Sequence, residues 1–123
     1  MKNIILVISL FVCGYANAYQ KEDFEKNYAE LSEKLESSVS QAVGSMNGDN
    51  ALSKNMFCLK NQAKLNFQSY LIDNFEDYEN MLKSNNIDPP SKSEFQGYKA
   101  QTISEIEDNK KDLVGTKYNC TPE

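Results

Sequence analysis

Apolar residues recur at steps of three and four along most of this chain, the spacing that gathers them on one side of a helix. Residues 21–43 carry Phe24, Tyr28, Leu31, Leu35, Val39, Ala42 and Val43 in that rhythm. Glu22, Asp23 and Glu25 complement the helix dipole at its start, and Gly44 is a natural stop. The next residues, Ser45 to Asn50, are turn chemistry with Asn47-Gly48 as the signal.

A longer stretch, 51–84, repeats the pattern through Leu52, Met56, Leu59, Ala63, Phe67, Tyr70, Leu71, Phe75, Tyr78 and Leu82. Asp73 and Glu76 have the spacing of a capping box, so a kink or restart is expected near Asp73. Pro89 and Pro90 then end the stretch, since neither can continue a helix. Ser91 and Glu94 open a third stretch as a second capping box. It carries Phe95, Tyr98, Thr102, Ile103, Ile106 and Leu113 and stops at Gly115. The pattern predicts an all-α fold: a small antiparallel bundle of three helices, or four, with one disulfide.

The beginning of the chain has a different character. Lys2, the apolar run from Ile4 to Val12, and the small residues Ala16 and Ala18 around Asn17 have the layout of a cleavable signal peptide. The run holds about nine residues, well short of the roughly 20 that span a bilayer. Residues 1–18 are therefore read as a signal peptide and 19–123 as a single helical domain in a secreted or periplasmic setting. Lipidation at Cys13 is disfavoured because Val12 before it is not small. Cys13 leaves with the signal, so Cys58 and Cys120 are expected to pair. They are too far apart for a C-x-x-C redox site. The expected bond tethers the C-terminal tail, and a Cys120 held in this way disfavours glycosylation at the Asn119-Cys120-Thr121 sequon.

Composition narrows the chemistry by what it lacks. The chain has no His, no Arg and no Trp, and a formal net charge of −5. There is thus no imidazole base, none of the usual histidine ligands for zinc, and no guanidinium clamp for phosphate. Net negative charge argues against nucleic acid and anionic membrane surfaces as partners, and no stable membrane insertion is expected once the signal is removed. Asp73, Glu76, Asp77 and Asn80 share a helix face, but without a loop carbonyl they read as a solvated acidic surface, so no metal and no cofactor is expected. No acid stands out for catalysis. The expectation is a non-enzymatic module that binds another protein, such as an inhibitor or immunity-type protein. The surface proposed for it draws on Met56, Phe57, Tyr70, Phe75 and Tyr78, because a thin helical layer cannot bury every aromatic ring. A carrier of a small apolar ligand within the bundle is the alternative, and an enzyme working through carboxylates alone ranks last.

Overall fold

The computed structural model describes residues 12–122, with side chains from residue 22 onward. Residues 1–11 of the expected signal segment lie outside the described residues, and residues 12–18 fall in the helix that begins at Val12. Four helices follow in order: α1 (Val12–Gly44), α2 (Asn50–Asp73), α3 (Phe75–Ser84) and α4 (Lys92–Asp112). Together they make the all-α helical bundle that the apolar spacing predicts.

The helix ends follow local chemistry. Asp49 caps α2 by accepting the Ala51 N–H at 3.1 Å. Ser91 and Glu94 form the expected capping box on α4: Ser91 Oγ accepts from the Glu94 N–H, and Glu94 Oε1 accepts from the Ser91 N–H, each at 3.0 Å. The restart inside residues 51–84 is real, but the capping box at Asp73 does not form. Asn74 is the junction instead, and its side-chain Nδ2 donates to the Tyr70 carbonyl at 2.9 Å. Its backbone (φ −125°, ψ 40°) leaves the helical region, which breaks the long stretch into α2 and α3. At the far end α4 stops at Asp112, and Gly115 takes φ +88°, a conformation open to glycine at little cost.

Side-chain pairs give the topology. Phe24 stacks on Tyr70 and Tyr28 meets Phe67, so α1 runs antiparallel to α2. Asn61 bonds to Asn109 and Lys64 approaches Glu105, so α4 is antiparallel to α2 as well. Both outer helices pack mainly on α2, which is the middle member of the layer. The disulfide closes the end where α2 begins and α4 finishes: Cys58 and Cys120 are joined with their Cα atoms 5.5 Å apart.

The core has two parts. Phe24, Leu71, Phe75 and Phe95 form one, with Tyr28, Phe67, Tyr70, Ile72, Tyr78 and Met81 packed round it. Cys58, Ile106, Leu113 and Cys120 form the other, with Leu65 and Tyr118 against it. Between and beside them α2 buries amides: Asn55, Asn61 and Gln68 are all under 7% exposed. The apolar stripes also end earlier than the spacing suggests. Val39, Val43, Tyr98 and Ile103, all expected in the core, are exposed. The reason is the open layer, in which each outer helix meets α2 along one edge and its flanking positions face water.

Candidate functional site

An aromatic cluster marks the end of the layer where α1 begins and α2 finishes. Here α3 folds over the other helices. Tyr78 of α3 lies 6.4 Å from Tyr28 of α1 and 5.5 Å from Phe95 of α4, and Phe75 lies 6.2 Å from Phe95, centroid to centroid. Burial pushes the Tyr78 phenol above its usual value of 10.0, and the neighbouring Tyr28 adds to the rise. The cluster is well covered because α3 reaches it.

The same cover fails further along. Val39 follows Tyr28 on α1 by about three whole turns and continues its side of the helix, while Met46 lies in the turn after Gly44. Exposure rises with distance from α3: Tyr28 is half-buried, Val39 is 40% exposed, Val43 55% and Met46 60%. On α2, Lys64, Lys60 and Phe57 precede the buried Leu71 by about two, three and four turns and continue its side in the same way. Lys60 Nζ sits 5.7 Å from the centre of the Phe57 ring. The candidate site is the exposed apolar set Val39 and Val43 on α1 with Met46 in the turn after it, together with the half-buried Phe57 of α2.

The five residues proposed from the sequence are divided by the structure. Met56 and Phe57 are half-buried on the first half of α2. Tyr70 and Tyr78 pack against the aromatic core, and Phe75 belongs to it at 8% exposure. Phe75 therefore presents little surface to a partner, because its ring fills the junction of α3 with α4. Val39 and Val43, which the apolar spacing puts in the stripe, are exposed, as is Met46 in the turn. A signal for them existed in the length of the elements: the break at Asn85 to Pro90 keeps α3 to ten residues, too few to cover the 24 residues of α2.

The other expected features fall as follows. Asp73 and Glu76 are exposed, and Asp77 lines an open cleft of about 410 Å³ with Asp23, Phe24, Asn27, Tyr70 and Asn74. Asn27 Nδ2 donates to the Tyr70 hydroxyl at 3.3 Å on its wall. Among the described residues no three His, Cys, Asp or Glu side chains gather as a metal-binding group. No described helix is long and apolar enough to cross a membrane. At the disulfide end, the Asn119 side chain already accepts a hydrogen bond from Thr121 Oγ1 at 2.6 Å.

No protein-family model, curated protein or solved structure matches this chain.

Proposed function

We propose that this is an exported, non-enzymatic module that binds another protein, in the manner of an inhibitor or immunity-type protein. The observation that carries the reading is the exposure of three apolar side chains close together in the chain, Val39 and Val43 on α1 and Met46 in the turn after it. Single exposed apolar residues are ordinary, but a group of them at one end of a helix is the anatomy of a docking surface. Export is supported by the disulfide and by the signal-like residues 1–18.

Enzymatic alternatives have less to draw on. With no His or Arg in the chain, acid–base work would fall to carboxylates such as Asp23 and Asp77. They share a cleft, but it is open and Asp23 is exposed, whereas a carboxyl kept protonated for catalysis is normally sheltered from water. A carrier of an apolar ligand would need an enclosed apolar chamber, and that cleft is edged by carboxylates and amides.

The test is affinity capture by the oxidised protein from extracts of its own source, read by mass spectrometry. One stoichiometric protein partner is expected. Capture of no protein, with a lipid or other apolar molecule co-purifying, would overturn the reading in favour of the carrier.

A further inference from the structure

The cleft near the start of α1 is built by the fold itself. Phe24 of α1, 2% exposed, stacks on Tyr70 of α2 with ring centroids 5.6 Å apart, so part of its lining belongs to the core. The polar lining comes from Asp23 and Asn27, about one turn apart on α1, and from Asn74 and Asp77 where α2 passes into α3. A hydrogen bond from Asn27 Nδ2 to the Tyr70 hydroxyl ties the two walls together. The cleft is thus formed before any ligand arrives, and its volume of about 410 Å³ is in the range of small-ligand sites.

Its walls offer hydrogen-bond acceptors. Both amides turn their nitrogen toward Tyr70: Asn27 donates to its hydroxyl and Asn74 to its carbonyl. Their carbonyl oxygens have no partner among the described residues. Asp23 and Asp77 make no ion pair among the described residues, and no lysine lines the cleft. The surrounding charge has the same sign. Residues 21–30 and 73–79 hold eight carboxylates against two lysines, a net of −6 where the whole chain carries −5. Such a region draws in cations and turns anions away.

The kind of cation follows from the lining. A calcium ion takes about six to eight oxygens gathered close around it, whereas among the described residues no three acidic side chains come together. A neutral sugar would leave two carboxylates without a counter-charge as it displaced their water. A guanidinium meets both requirements, since its planar fork carries a charge and five donors. We propose that the cleft lined by Asp23, Asn27, Asn74 and Asp77 receives the guanidinium of an arginine side chain from the partner protein. Each wall supplies it with one carboxylate and one amide oxygen, and the carboxylate bonds are the strong, charge-assisted ones. The chain has no arginine of its own, so the group comes from outside. This inference rests on the protein-binding reading above and adds one element of the partner's chemistry. The open apolar face at Val43 lies 20 residues along α1 from Asp23, about 30 Å away, so changes at the two places report separately.

The test is a titration of the oxidised, nitrogen-15-labelled protein with N-acetyl-arginine amide at low salt, followed by nuclear magnetic resonance. Saturable shifts are expected at the side-chain amides of Asn27 and Asn74. The neutral isostere N-acetyl-citrulline amide is expected to bind about tenfold or more weakly, and added salt to weaken the arginine probe. Asp23→Asn with Asp77→Asn is expected to abolish the shifts with circular dichroism and melting unchanged; Asp23→Asn alone is the milder variant if the pair disturbs the fold. Equal binding of the two probes, shifts that survive both variants, or no saturable shift at these amides would overturn the proposal. So would calcium chloride moving the same signals at lower concentration than the arginine probe, since the cleft would then be a metal site. In affinity capture, the Asp23 and Asp77 double variant is expected to lose the partner. If that variant retains the partner, only the arginine proposal falls; if the unaltered protein captures none, the protein-binding reading falls with it.

Discussion

The side chain of Asn55 holds the backbone of Cys120: its buried Oδ1 accepts the Cys120 N–H at 2.8 Å, across 65 residues of sequence. The same amide donates from Nδ2 to the Thr121 carbonyl at 3.1 Å, so one side chain satisfies two backbone groups of the tail. Cys120 has φ +65°, which costs a non-glycine residue energy, and these bonds together with the disulfide hold it there. Replacing Asn55 by Ala removes both bonds and leaves a buried N–H without its acceptor. A loss of about 2 kcal/mol is expected, seen as a lower midpoint in urea unfolding. An unchanged midpoint would show that the disulfide alone fixes the tail.

The disulfide bridges a separation of 62 residues. On chain entropy it contributes about 4 kcal/mol. Replacing Cys58 and Cys120 by Ser should therefore lower stability more than Asn55→Ala does, by urea or thermal melting. Because Cys58 and Cys120 sit in the second core cluster, protection from hydrogen exchange should be lost first at the start of α2 and the end of α4. Uniform loss across all helices would contradict that local role.

Gln68 is 6% exposed and its Oε1 has no hydrogen-bond partner among the described residues. A buried acceptor without a donor costs stability, so an apolar side chain of similar shape fits the site better. Gln68→Met is expected to raise the stability by about 1 kcal/mol. A drop in melting temperature would mean that the Gln68 amide is satisfied in solution.

Burial of Tyr78 gives stability a dependence on alkaline pH. The phenol pKa is raised in the folded state, first by burial and then by Tyr28. The folded protein therefore keeps a proton that the unfolded chain releases above its ordinary value of 10.0. The contribution is complete below pH 10 and is lost as pH rises through the folded-state value. Tyr78→Phe should flatten this alkaline fall in melting temperature while leaving behaviour near neutrality almost unchanged. A fall of the same steepness in Tyr78→Phe would place its cause elsewhere.

Phe75 on α3 and Val43 on α1 should respond very differently to mutation. Phe75, 8% exposed in the aromatic core, should cost about 4 kcal/mol when cut to Ala. Val43, 55% exposed, should tolerate Asp within about 0.5 kcal/mol. Comparable losses at both positions in chemical denaturation would mean that Val43 is covered in solution.

Much of this architecture is legible in the residues, and what is not has physical causes. Spacing of three and four reveals the helices, Ser91 and Glu94 mark a start, Pro89 and Pro90 mark an end, and two cysteines remain to pair. Spacing cannot tell an edge of a stripe that meets another helix from one that meets water, so it does not separate the exposed Val39 and Ile103 from the buried Ala42 and Ile106. Nor does it find Asn55, Asn61 and Gln68: a buried amide is recognisable only from its partner, and Cys120 and Asn109 are remote in sequence. The spacing of Asp73 and Glu76 marks the break to within a residue, but its chemistry differs: Asn74 makes it by bonding back to Tyr70. The docking face was half legible. Phe57 could be flagged from its chemistry, whereas the exposure of Val43 at the end of an apolar stripe could not be read from spacing alone.

The most direct test of the open face as a docking surface is site-specific photo-cross-linking in the oxidised protein. A photoreactive phenylalanine at position 43 samples the face, and one at the exposed position 107 on α4 serves as the control. In extracts of the source, position 43 is predicted to form a single cross-linked product with a partner protein, and position 107 none. Cross-linking from position 107 alone, or from neither, would contradict the assignment of this face.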